Sequence, residues 1–181
     1  MALARALIGA TLRRRTPEGV AGGRIVEVEA YPPGDSASHA FAGLRVRNAS
    51  MFLEPLRAYV YRIYGTSWCF NITSEPAGVG AAILVRALEP LEGLELMERR
   101  RGTTLRRDLC RGPGRLCSAL GIDAALDGAR FDPAGPVDLA FAGPARVGSS
   151  VRIGISKATD RPLRFYLAGS PYLSGPRSLS P

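Results

Sequence analysis

The chain has 181 residues, 46% of them apolar, and carries 24 Lys+Arg against 16 Asp+Glu, for a formal net charge of +8 and a pI near 10.1. That length and apolar share suit one domain over residues 1–181 with a buried core. A single histidine, His39, excludes HExxH zinc centres and two-histidine iron sites, and a single lysine, Lys157, leaves little amine for Schiff-base chemistry.

The opening segment spaces Leu3, Ala6, Leu7 and Ala10 as a helix, and Thr11-Leu12 then run as a strand start into Arg13, Arg14 and Arg15. Pro17 and Gly22-Gly23 mark a turn. Arg24 to Tyr31 is a strand that ends at Pro32-Pro33-Gly34. Alternation puts Ile25, Glu27, Glu29 and Tyr31 on one face and Val26, Val28 and Ala30 on the core face. Residues 34–50 are small, polar and basic, an exposed functional loop holding His39. Tyr59 to Tyr64 and Trp68 to Ile72, parted by Gly65 to Ser67, form a hairpin, and Ala81 to Leu88 another strand. Glu89-Pro90 begins a helix that stops at Gly102, and Pro113 to Leu120 is a helix closed by Gly121. Residues 128–143 form a turn-rich connection, and Leu163 to Leu167 is a late strand with Arg164 pointing outward. With no repeats and no long linker, the fold class is α+β, a single domain with a mostly antiparallel sheet.

Arginine in excess of lysine points to a polyanionic partner or to a GC-rich genome, and composition leaves both open. Cys69, Cys110 and Cys117 are odd in number and lack a CxxC pair. With no secretory pattern and no apolar run of about 18–20 residues, a reduced compartment and no membrane partner are expected. No metal and no cofactor are expected. Glu29 and Tyr31 project side by side before the His39 loop, either as a pocket wall or as an ion pair beside a core-edge tyrosine. Tyr59 and Tyr61 suit sheet packing or base stacking, whereas Tyr64, at the hairpin tip, suits a wedge between base steps. Asn71 in an apolar run must be satisfied by backbone or read a ligand edge, and Arg86 at the end of an apolar strand needs an anion or a water network.

The strings RIVEVEAY (24–31), RNASMF (47–52), YVYRIYG (59–65), CFNI (69–72), LVRALEPLEG (84–93), GPGRLC (112–117) and PLRFYLAGSP (162–171) occur in this order. Together they resemble the alkyladenine DNA glycosylase family, also called the mammalian type of 3-methyladenine DNA glycosylase, over almost the whole chain. The resemblance implies a curved antiparallel sheet with surrounding helices and a protruding hairpin. It implies Glu29 as the general base that activates water, and Arg86 as the residue that orients it. Tyr31, His39 and Tyr61 match residues that sandwich a flipped base. Asn71 matches the one that penalises the exocyclic amine of guanine, and Tyr64 the one that fills the vacated duplex space.

What the resemblance implies for function is a monofunctional DNA glycosylase. Its substrate is double-stranded DNA carrying an alkylated purine, with deaminated and etheno purines as further targets, in the first step of base excision repair. It would act as a monomer, in the cytoplasm of a prokaryote or the nucleus of a eukaryote. The segment FAGLRVR (41–47) lacks the family's Thr-Pro, Tyr31 to His39 is one residue shorter than in mammalian members, and Thr66-Ser67 replace larger residues. The competing readings are a catalytically silent nucleic-acid-binding domain of the same fold and a small-molecule domain like that of formyltransferases. The second does not require Glu29, Tyr31, His39 and Tyr64 to occur together, and the first is disfavoured because the matched base, sandwich residues and Arg86 are all present.

Overall fold

The computed structural model describes residues 1–63, 65–176 and 178. In chain order they form α1 (Ala2–Leu7), β1 (Thr11–Thr16), β2 (Gly19–Tyr31), β3 (Ala58–Ile63), β4 (Ser67–Thr73), β5 (Ala82–Glu92), α2 (Leu94–Arg101), α3 (Pro113–Leu120), β6 (Val137–Ala140), β7 (Val147–Ser150) and β8 (Arg164–Leu167). Short 3₁₀ turns at His39–Ala42 and Val46–Phe52 fold the segment between β2 and β3. The strands make one sheet in the order β3-β4-β5-β2-β1-β6, with β8 pairing to β2 and β7 to β8, and each of these pairs is antiparallel.

One face of this sheet is covered by the helices. Leu7 of α1, Met97 of α2 and Leu116 and Leu120 of α3 share a core with Ile25, Val28, Phe70, Ile72 and Val85 of the strands. Helix α3 starts with Pro113 at its first turn and ends at Gly121, whose φ of 65° is the left-handed cap that glycine adopts without cost. Cys110 and Cys117 are buried thiols of this core.

Several expectations are corrected. Gly22-Gly23 is not a turn, because β2 begins at Gly19 and runs through both. The glycines are there for space. A Cβ on Gly22 would meet the Leu12 carbonyl oxygen at 2.7 Å, and one on Gly23 would meet that of Glu89 at 2.2 Å. The alternation along β2 also breaks. A bulge against β5 around Glu27 turns Val26 to the same side as Glu27 and puts Ile25 in the helix-side core with Val28. Pro90 does not open a helix. It lies within β5 opposite Gly23 at a register shift, where its missing N–H is tolerated, and α2 begins only at Leu94 after the left-handed Gly93. The connection at 128–143 contains β6, which pairs with β1 and buries Val137 between glycine- and proline-rich flanks. Arg164 points inward, not outward, and is 0% exposed.

Replacing Gly23 with alanine is expected to destabilise the fold by about 1–3 kcal/mol through overpacking against β5. Urea denaturation measures it, and an unchanged midpoint would contradict the close approach.

Candidate active site

Strand β2 is long enough to have two different neighbours along one edge. It pairs with β1 over residues 19–24 and with β8 over residues 27–29, while β5 runs along its other edge. Glu27 and Glu29 thus lie between a strand that carries Arg86 and one that carries Arg164. Both carboxylates are 0% exposed, a burial that is prohibitive for unpaired charges.

Glu27 is held from all sides. Its Oε1 accepts from Arg164 Nε at 2.7 Å, Arg86 Nε at 3.0 Å and the Ser174 hydroxyl at 2.8 Å, and its Oε2 accepts from the Ser174 amide at 2.5 Å. Glu29 is held differently. Its Oε2 accepts from the Tyr31 hydroxyl at 3.0 Å and lies 3.1 Å from Arg86 Nη1, while Oε1 accepts, among the described residues, from the Ile153 amide alone, at 2.7 Å. Arg86 therefore bridges the two acids. Burial alone would lower its pKa, but Glu29 and then Glu27 more than offset that and raise it.

The three groups that hold Glu29, namely Tyr31, Arg86 and Ile153, all line a cavity of about 450 Å³, a volume in the range of ligand pockets. Glu29 itself stands directly behind them. His39, Tyr59, Tyr61, Met51, Cys69 and Asn71 form much of the remaining wall. His39 and Tyr61 meet edge to face with ring centres 4.5 Å apart, and His39 Nδ1 is 2.8 Å from the Tyr59 hydroxyl. One face of Tyr31 is covered by the Arg152 guanidinium, 4.6 Å from the ring centre.

The cavity wall holds four aromatic rings, Tyr31, His39, Tyr59 and Tyr61, and its formally charged lining residues are Arg86 and Lys157. Burial, with Glu29 adding to it, pushes the Tyr31 hydroxyl well above its ordinary value, and burial does the same at Tyr59 and Tyr61. His39 is shielded on the side of its tyrosine neighbours, and that desolvation, with Arg47 second, pulls its pKa down. Its ring is therefore neutral at pH 7. Asn71 is buried, donates from Nδ2 to the Tyr59 carbonyl at 3.0 Å and still lines the cavity, so the backbone and ligand alternatives for it hold together.

Tyr31, His39, Tyr61, Asn71 and Arg86 are thus brought to one cavity, with Glu29 at its back. Tyr64 lies outside the described residues, between the β3 end and the exposed Gly65. Among the described residues there is no group of three or more His, Cys, Asp or Glu able to hold a metal ion. No helix among them is long and apolar enough to cross a membrane.

Sequence reasoning did not single out Glu27, Arg164 and Ser174, whose pairing joins positions 137 and 147 residues apart. It also did not find Arg152, which pairs with Asp35 and donates to the Ala30 carbonyl at 3.1 Å, fixing the segment that offers the Ile153 amide. Asn48 shapes the His39 loop by donating to the carbonyls of His39 at 2.9 Å and Gly43 at 3.1 Å. The string RNASMF contained that asparagine, but only its contacts reveal the task.

The family model described as methylpurine-DNA glycosylase (MPG) matches residues 1–171. Proteins named "Putative 3-methyladenine DNA glycosylase" are similar over nearly the full chain. One from Mesorhizobium japonicum is 54% identical over 98% of this chain and 86% of its own length. One from Nitrosospira multiformis is 52% identical over 96% and 88%. One from Methanoculleus marisnigri is 47% identical over 95% and 92%.

Two outcomes are expected from this geometry. Arg164→Met leaves Glu27 short of a buried cation and should cost about 3–5 kcal/mol in chemical denaturation, against near-neutrality if the pair were dispensable. The His39 ring protons should titrate with a midpoint below about 6.5, the ordinary histidine value, in a proton NMR series. A midpoint above it would contradict the desolvated wall.

Proposed function

Because the chain belongs to the methylpurine-DNA glycosylase family, we propose that it excises alkylated purines flipped out of duplex DNA by using Glu29 to activate water. As a member of that family it is a hydrolase of the N-glycosyl bond with DNA as its substrate. The observation that carries the finer reading is the placement of Glu29 behind a cavity with four aromatic rings in its wall, which also supplies the two donors and the one cation that hold Glu29.

Flipping costs a few kcal/mol and least for damaged bases, which gives selectivity before any pocket contact. The base then lies among Tyr31, His39 and Tyr61, where a cationic alkylated ring gains roughly 0.5–2 kcal/mol over π faces. Neutral His39 adds no opposing charge. Among the described residues Glu29 Oε1 accepts only the Ile153 amide, which leaves its other lone pair to take a proton from water. The water oxygen bonds to the anomeric carbon as the glycosidic bond breaks, the electron pair leaves with the base, and Glu29 keeps the proton. A cationic base departs neutral, whereas hypoxanthine and ethenoadenine must pick up a proton as they leave.

Arg86 holds Glu29 in place from the cavity side. Asn71 opposes the exocyclic amine of guanine, and Tyr64, beyond the β3 end, fills the gap left in the duplex. Attack by water rather than an amine makes the enzyme monofunctional, leaving an abasic site in an uncut strand. It works as a monomer, in the cytoplasm of a prokaryotic cell or the nucleus of a eukaryotic one.

The test is a panel of duplexes carrying methylated purines, hypoxanthine or ethenoadenine, with abasic sites revealed by alkali. Glu29→Gln is expected to lose about 10²–10⁴-fold in single-turnover excision while still binding abasic-site DNA. Intact excision by that variant would refute the general-base assignment, strand cleavage before alkali would refute the water mechanism, and binding without excision by the unaltered protein would leave only the catalytically silent reading.

A further inference from the structure

The chain's single lysine lies outside the core and makes no ion pair among the described residues. Lys157 ends a segment, residues 153–157, each of which lines the cavity, and Gly154, Ser156 and Lys157 are exposed. This segment is pinned at both ends. Ile153 gives its amide to Glu29, and Arg152, fastened to Asp35, donates to the Ala158 carbonyl at 3.4 Å. Ala158 itself has φ of 47°, a left-handed conformation costly for a residue with a Cβ, and the neighbouring contacts hold it there.

Among the cavity-lining residues Arg86 and Lys157 carry the formal positive charges. Arg86 is buried and engaged by both Glu27 and Glu29. Lys157 has no carboxylate within 4.0 Å among the described residues, so the exposed side of the cavity carries one cation that none of them compensates. A nucleotide with its base in the aromatic cavity must leave its phosphates outside, because the interior offers them no unpaired cation.

We propose that Lys157 is the phosphate clamp of the flipped nucleotide: its ammonium takes a phosphodiester flanking the base in the cavity, so one short segment both orients Glu29 and fixes the sugar-phosphate beside it. This rests on the excision reading above. The reach is suitable, since the four steps from Ile153 to Lys157 span at most about 14 Å when extended. The chemistry suits a lysine, a compact charge with rotatable donors that binds a phosphate from varied directions. Unlike the arginines that meet any duplex, this contact exists only once a nucleotide has left the stack.

The experiment measures the affinity of the full chain for a duplex with a tetrahydrofuran abasic site and for the same duplex undamaged, across a salt series. For the abasic duplex, Lys157→Gln should reduce the magnitude of the slope of log K against log salt by about 0.9, the release expected of one phosphate contact, and Lys157→Arg should restore it. Undamaged duplex should bind both variants as it binds the unaltered protein. An unchanged slope in Lys157→Gln overturns the clamp, as does an equal loss on undamaged duplex, which would mark an ordinary surface contact. A shift in the ratio of cationic to neutral lesion excision with the slope unchanged would overturn it in favour of a charge filter. If the unaltered protein neither prefers the abasic duplex nor excises any lesion, the excision reading fails and the clamp with it. Preference for the abasic duplex with an unaffected Lys157→Gln variant removes the clamp alone.

Discussion

Two carboxylates on one strand, both cut off from water, are the constraint around which this molecule is organised. Burying an unpaired carboxylate costs several kcal/mol even after relaxation, so Glu27 and Glu29 require partners from elsewhere in the chain. They come from both sides of β2: Arg86 from β5, Arg164 from β8, and Ser174 from the segment beyond β8. Assembling the sheet in this order and placing the acids are therefore the same event. A strand slip of one residue on either side would put the arginine on the opposite face of the sheet and leave a buried acid without its counter-ion.

The two acids differ in what surrounds them. Glu27 is enclosed by Arg86, Arg164 and Ser174, of which only Arg86 reaches the cavity. Glu29 sits one pleat further along, and each of its partners is part of the cavity wall. Glu27 thus holds Arg86 and the sheet, and the mechanism proposed above gives Glu29 the chemistry. It also changes the meaning of the positive charge. Arg86, Arg152 and Arg164 are interior counter-ions, so the surplus that faces a polyanion is carried by the others, among them exposed Arg45 and Arg47 in the loop beside His39.

Much of the plan was legible from local pattern. The strand ending at Tyr31, the β3–β4 hairpin and α3 with its proline start and glycine stop follow from period and turn chemistry. What escaped has a common physical origin in contacts distant along the chain. Glycines 22 and 23 read locally as a turn, but they answer to carbonyls of β1 and β5 that press against them. Strict alternation failed at the bulge, which is set by pairing with β5 and exchanges the faces of Ile25 and Val26. Arg164 looked like an ordinary outward residue because its acid lies 137 positions away. The candidate site was more legible than the fold details, since Tyr31, His39, Tyr61, Asn71 and Arg86 were carried by resemblance and lie on one cavity wall, yet the groups that fix their positions, Asn48, Arg152 and Ser174, carry no local signature.

The division of labour between the two acids is most directly tested by pH–rate profiles of single-turnover excision for the unaltered protein, Glu29→Gln and Glu27→Gln, with rates expressed per folded molecule. If Glu29 is the base, the fall in rate on the acid side persists in Glu27→Gln and vanishes in Glu29→Gln along with most of the rate. Loss of that acid limb in Glu27→Gln, with Glu29→Gln retaining it, would contradict the assignment and make Glu27 the base.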